Sequence, residues 1–227
     1  MKLGKNSVKQ IAKLLPHIET FDVGYYDANV KAKDCDLMAL TEHFTNLNSV
    51  RTDMWNVTNH GIMSVARAMG EQLLDLRIKG DTITDHYLSG TALETITASC
   101  CNLEYFAYRV NSSSQFYKSY LDGVTGDRII ALVEGCRRLK AIELYKALHV
   151  KKGHFAQIAN MVAGELDQFA LRKIVAVGYG QLFETGDYPF LRIEDNQRFP
   201  FLERSVNFAK ERDSMWQEAR VHLRLEI

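Results

Sequence analysis

Apolar positions recur along the chain in a two-part pattern. Six segments place apolar or small residues at offsets 0, +3 and +5: Ile18/Phe21/Val23, Leu47/Val50/Thr52, Leu73/Leu76/Ile78, Leu103/Phe106/Tyr108, Leu139/Ile142/Leu144 and Leu166/Phe169/Leu171. Alternation from +3 to +5 predicts a short strand. Ahead of each segment lies a pair at helical spacing. Val8/Ile11, Leu37/Leu40, Leu93/Ile96 and Ile129/Leu132 fall ten and seven residues before their strand's first position, and Ile62/Val65 and Phe155/Ile158 fall one residue earlier. Three residues before each strand stand Leu15, Phe44, Gly70, Cys100, Cys136 and Ala163, all apolar or small. The pattern therefore predicts helix, tight turn and strand, six times over. In the last unit Leu171/Ile174 would also serve as a strand start.

The strand starts are 29, 26, 30, 36 and 27 residues apart. Four of these spacings lie near the period of about 20 to 29 residues that stacked repeat architectures use. One such unit cannot bury its own helix face, so its neighbours supply the core. The expected fold is α/β, a curved solenoid with helices outside and short parallel strands inside over residues 1–180. Beyond 180 the repeat fades. Residues 198–219 have apolar residues at mixed helical spacing and 220–227 alternate Val221, Leu223, Leu225 and Ile227 with polar residues, so 181–227 is read as a C-terminal cap over the last open core.

The stretches DRIIALVEGCRRLKAIEL (127–144) and ALETITASCCNLEYFAY (92–108) resemble the cysteine-containing leucine-rich repeats of F-box substrate receptors, in which helix, C-x-x-L and strand recur. VTNHGIMSVARAM (57–69) and TITDHYL (82–88) carry the matching polar turns, and NLEYFAYRV and LRKIVAVGYG are similar to the plant hormone receptor branch. The resemblance spans roughly residues 8–180 and implies a leucine-rich-repeat fold and a substrate-receiving role. It departs from an intact receptor in having no three-helix F-box ahead of the first repeat. The first repeat opens inside a convex helix with no strand before it, so the expectation is either a piece of a longer protein or an end covered by something else.

Composition narrows the role. The 227 residues are 46% hydrophobic, enough for a core, with 28 Lys and Arg balancing 28 Asp and Glu. No net field draws the molecule to nucleic acid or to an anionic membrane, so neither is expected as a partner. No apolar run reaches membrane-spanning length and no secretory signal opens the chain, which points to a cytoplasmic or nuclear protein. Cys100 and Cys136 occupy equivalent repeat positions and read as buried free thiols; Cys35 and Cys101 complete the four. Neither the Cys and His spacings nor the glycines Gly123, Gly126, Gly178 and Gly180 form a metal site or a phosphate loop. No nucleophile constellation stands out. The expectation is no catalytic residue, no cofactor and no metal.

The repeat register then selects a surface. With +3 and +5 turned into the core, +2, +4 and +6 face the other side of the strand. These positions hold Thr20, Asp22, Gly24; Ser49, Arg51, Asp53; Asp75, Arg77, Lys79; Tyr105, Ala107, Arg109; Ala141, Glu143, Tyr145; and Gln168, Ala170, Arg172. Such a face is either merely solvated or a recognition surface. Arg and Tyr, which anchor interfaces, argue for the second, with Arg51, Asp53, Arg77, Lys79, Tyr105, Arg109, Glu143 and Tyr145 as the contact residues. The long 36-residue spacing maps onto residues 110–123, a polar loop carrying Phe116, Tyr117 and Tyr120. It either leans over that face as part of the contact or packs back as a short helix. The chain is expected to be a protein-protein recognition module, the substrate-binding part of an F-box-type ubiquitin-ligase adaptor. The alternative is an interaction or scaffold subunit of a larger assembly with no ubiquitin role.

Overall fold

The structure, a computed structural model, describes residues 5–23, 33–54, 56–81, 87–111, 123–145, 149–177 and 192–195. Within them six helices alternate with strands: α1 Lys5–Leu14, β1 Thr20–Val23, α2 Asp34–His43, β2 Ser49–Asp53, α3 Asn59–Met69, β3 Asp75–Asp81, α4 Gly90–Ser99, β4 Tyr105–Asn111, α5 Gly126–Gly135, β5 Ala141–Tyr145, α6 Lys152–Gly164, β6 Lys173–Val177 and β7 Arg192–Asp195. The strands form one parallel sheet in the order β1 to β7, every strand hydrogen-bonded to its neighbours in sequence. Each helix from α1 to α5 packs on the next one along the chain, so the helices form a single layer. Parallel sheets are usually covered on both faces and read as continuous apolar runs. Here β3 and β5 alternate buried and half-buried residues, as suits a sheet with its described helices on one face, whereas Ala107 in β4 and Val175 in β6 are buried on the other face as well.

Register fixes the core. Phe21, Val50, Leu76, Phe106, Ile142 and Ile174 are aligned across the sheet, as are Thr52, Ile78, Tyr108 and Leu144. All are buried except Phe21, which is half-buried. The first five units therefore stand as the apolar offsets predict. Leu47, Leu73, Leu103, Leu139 and Leu171 are buried one turn earlier, where helix gives way to strand.

A backbone ladder marks the same register. The carbonyls of Glu19, Asn48, Leu74, Glu104 and Lys140 each accept two consecutive N–H groups from the following unit, ending with Arg172 and Lys173 on Lys140. Each of these carbonyls follows a strand-start residue directly, and Arg172 follows Leu171. The last strand thus starts from Leu171, and the Leu166/Phe169/Leu171 phase is corrected. The reason is helix length: α6 runs for 13 residues, and the chain makes a further turn through Leu166, which is 45% exposed, before Phe169 and Leu171 enter the core. Gln168, Ala170 and Arg172 accordingly lie before β6; Lys173 and Val175 take the polar-side positions instead.

Polar side chains stitch the helix starts together. The Asp34 carboxylate, at the start of α2, accepts from the Thr58 N–H at 2.7 Å and its hydroxyl at 2.6 Å, while Thr58 caps α3 by accepting from the His60 N–H. One unit on, Asn59 donates to the Tyr87 carbonyl and accepts from the Ser89 N–H, and Ser89 caps α4 through the Ala92 N–H. These bonds satisfy donors that a helix leaves open at its first turn. At the other end of α3, Gly70 has φ of +51°, a conformation L side chains rarely adopt, which explains a glycine where other units have Phe44, Cys100 or Cys136.

Val110 and Asn111 belong to β4, which corrects the first two positions of the loop expected over 110–123. Phe116, Tyr117 and Tyr120 lie outside the described residues. So does most of the expected cap. Its one described part, Arg192–Asp195, is a seventh parallel strand paired with β6, so the sheet extends past the six units read from the sequence.

Candidate binding face on the parallel sheet

On the side away from the helices, strand register sets side chains into rows that cross the sheet. One row runs Asp22, Arg51, Arg77, Ala107, Glu143, Val175; the next runs Asp53, Lys79, Arg109, Tyr145. A third holds Ser49, Asp75, Tyr105, Ala141 and Lys173. Neighbouring strands stand about 4.8 Å apart, so side chains in a row are within reach of one another.

Asp75 is the hub. Its carboxylate accepts from Arg77 Nε at 3.0 Å, from Arg51 Nη2 at 3.3 Å and from the Ser49 hydroxyl at 3.2 Å. The three charged side chains are only 15 to 22% exposed, so this is no solvent-screened surface pair. Arg77 also lies over the Tyr105 ring, 4.2 Å from its centroid. A carboxylate on one side and an aromatic face on the other hold the guanidinium in one orientation. One strand further, Arg109 lies over Tyr145 at 5.3 Å, and the Tyr145 hydroxyl donates to Glu143 at 3.3 Å. Ala107, between the two groups, is fully buried.

Of the residues that the sequence singled out, Arg51, Arg77 and Tyr105 come together around Asp75. Arg109, Glu143 and Tyr145 form the second group, and Asp53 and Lys79 stand opposite each other in register. Sequence reasoning placed Asp75 and Ser49 on this face without choosing them. The signal was available: Asp75 is aligned with Ser49 and Tyr105 and lies diagonal to Arg51.

The remaining candidates for chemistry lie elsewhere. Cys100 and Cys136 are fully buried on the helix side, where the Cys136 thiol donates to the Cys100 carbonyl at 3.2 Å and the Cys100 thiol to the Ala66 carbonyl at 3.6 Å. Burial, helped by neighbouring thiols, pushes both up to about 12, which leaves almost no nucleophilic thiolate at neutral pH. Cys35 and Cys101 are exposed and free. Among the described residues no three His, Cys, Asp or Glu side chains come close enough to hold a metal ion, and no helix is long and apolar enough to cross a membrane. A groove of about 150 Å³ between α4 and α5, lined by Glu94, Thr97, Ala98, Arg128 and Ala131, is smaller than the 300 to 1,000 Å³ of typical ligand pockets.

No protein-family model matches this chain, and no curated protein matches it.

Proposed function

We propose that the chain is a leucine-rich-repeat solenoid whose sheet face, on the side away from the described helices, recognises a protein partner, as the substrate-binding part of an F-box-type ubiquitin-ligase adaptor. The observation that carries the recognition reading is the pair of oriented Arg–Tyr stacks, Arg77 on Tyr105 and Arg109 on Tyr145, presented on adjacent strands of one sheet. Arg and Tyr dominate the energetics of protein interfaces, and stacking lowers the entropy lost when they bind. The solenoid reading is supported by the sequential strand order and the single helix layer. A doubly wound sheet reverses strand order at the crevice where its ligand binds, and no reversal occurs among the described strands. The ubiquitin-ligase role rests on the resemblance of residues 92–108 and 127–144 alone. Free cysteines suit a reducing compartment, in agreement with a cytoplasmic or nuclear site of action.

A scaffold subunit held permanently in an assembly is the second reading. Leu14 and Leu15, 79% and 51% exposed where α1 ends, favour it as an apolar pair for a fixed subunit to cover. A photo-crosslinking residue placed at Tyr105, and in parallel at Lys140, tests both. Adducts from position 105 but not 140, with a cullin-adaptor protein co-purifying, support the adaptor. Adducts with one stoichiometric subunit support the scaffold. Equal adducts from the two positions refute a binding role for this face.

A further inference from the structure

The starts of α2 and α6 are closed in the same way by different chemistry. Ahead of α2 the Lys33 N–H donates to the Asp36 carboxylate at 2.9 Å; ahead of α6 the Lys151 N–H donates to His154 Nδ1 at 2.9 Å. In both, the third residue of the helix reaches back to the residue before the helix and satisfies its backbone donor. The acceptor is a carboxylate in one and an imidazole in the other. Because His154 Nδ1 accepts, the single proton of the neutral ring sits on Nε2.

His154 also spans the junction with the unit before it. Its ring occupies the space over Gly126, the buried first residue of α5, where an added Cβ would collide with Nδ1. Nε2 lies 4.0 Å from Asp127 Oδ1. The His154 side chain is 25% exposed and that of Asp127 92%, so solvent reaches the pair. Arg128, the next residue of α5, is drawn away to Glu94 at 3.0 Å and to the Gly123 carbonyl at 3.4 Å. On the chain leading into α6 stand His149 and Lys151.

From this arrangement we infer that His154 makes the start of α6 a pH-sensitive joint. With one proton, the ring accepts from Lys151 and holds the first turn of α6 against α5. A second proton can go only to Nδ1, and an imidazole protonated at both nitrogens donates twice and accepts nothing. The Lys151 N–H then loses its acceptor, and a positive charge stands at the helix end where the macrodipole disfavours it. Asp127 is within reach to receive the ring, so the cap is given up and the first turn of α6 opens. Histidine is the side chain whose charge ordinarily changes between about pH 5 and 8, which places the change in mildly acid solution. The cap of α2 has no such step, because a carboxyl group keeps an accepting oxygen whether or not it carries a proton. The joint lies among the helices and needs no partner on the sheet face, so it stands or falls apart from the recognition reading.

The full chain, labelled with nitrogen-15, is followed from pH 7.5 to 5.5. Long-range proton–nitrogen spectra of the imidazole show Nε2–H as the neutral tautomer, and the Lys151 amide shift moves with the titration of the ring. Over the same span the hydrogen-exchange protection of residues 151–155, each referred to its intrinsic rate, falls at least threefold, while that of residues 33–37 holds. His154→Gln, whose amide oxygen can accept from Lys151 without taking up a proton, keeps the protection of 151–155 level across the range. Asp127→Asn moves the midpoint of the His154 titration to lower pH. An Nδ1–H tautomer at pH 7.5, a Lys151 amide indifferent to the ring, an equal fall of protection in His154→Gln or at residues 33–37, or a midpoint unmoved by Asp127→Asn overturns the inference.

Discussion

Cys100 and Cys101 are adjacent in sequence and opposite in environment, and a thiol reagent reads the difference. Cys100 and Cys136 are fully buried; Cys35 and Cys101 are exposed. At pH 8 a thiol with its ordinary value of 9.0 is about one tenth thiolate, whereas one raised to about 12 is about one part in ten thousand. Ionisation alone slows reaction about a thousandfold, and the need to open the core slows it further. Absorbance stoichiometry with a chromogenic disulfide should therefore count two fast thiols in the native protein and four after denaturation, with mass mapping of the fast pair to Cys35 and Cys101. The same shift sets an alkaline limit. The folded state holds the two protons more tightly than the unfolded chain, so their contribution is intact below the unfolded value near 9 and is lost as pH climbs towards 12. The loss is about 1.4 kcal/mol per pH unit for each thiol once the unfolded chain ionises. Thermal melts between pH 8 and 10.5 should fall with pH, and a Cys100→Ala/Cys136→Ala variant should fall less steeply. Fast labelling of Cys100 or Cys136 in the native protein, or melts whose pH slope ignores the double variant, refutes the packing of these two units.

Three further outcomes follow from the same structure. Ile142→Ala empties a fully buried position between Phe106 and Ile174 and should cost about 2 to 5 kcal/mol in a denaturant melt, whereas Lys140→Ala, on an exposed side chain, should lie within about 0.5 kcal/mol of the unaltered protein. Asp34→Ala leaves the Thr58 N–H and hydroxyl without their acceptor and should destabilise by about 1 to 2 kcal/mol, with hydrogen exchange rising first at the start of α3. Tyr105→Ala and Arg109→Ala should each weaken partner capture by about 1 kcal/mol or more while lowering stability by less than a core substitution does, since both side chains are half-buried and neither belongs to the core; a loss of capture matched by Lys140→Ala counts against the face.

The elements were legible wherever burial alone decides placement. Offsets 0, +3 and +5 mark residues that must be inside whatever their partners are, so one sequence suffices to set the first five strands in register. The sixth unit shows where that logic stops. Leu166, Phe169 and Leu171 satisfy the same offsets, yet 13 residues of α6 and one more turn carry Leu166 out to solvent. Apolar spacing records which residues are inside and says nothing of how long the preceding helix runs; the carbonyl of Lys140, accepting from Arg172 and Lys173, settles the phase through backbone that no side-chain pattern reports. The stitching of Asp34 to Thr58 and of Asn59 to Ser89 escaped for a related reason. Ser, Thr, Asp and Asn at a helix start read as caps within one unit, and only stacking reveals that they also serve the next.

The face itself divides in the same way between parity and geometry. Parity along each strand is enough to gather Arg51, Asp53, Arg77, Lys79, Tyr105, Arg109, Glu143 and Tyr145 on one side, because side chains alternate whatever their identity. Which of them touch depends on register and on rotamers, and so Asp75, an acid among several in the sequence, becomes the residue that two arginines share. That sharing bears on how the face works. An arginine held by a neighbouring carboxylate and stacked on a ring has given up much of its freedom before any partner arrives, which reduces the entropy that binding must overcome. It also makes Asp75 more than a charge set against two arginines. Without it, Arg77 keeps its ring contact with Tyr105 but loses its orienting carboxylate, so on the recognition reading proposed above the gain in net positive charge is set against a loss of order in the guanidinium groups.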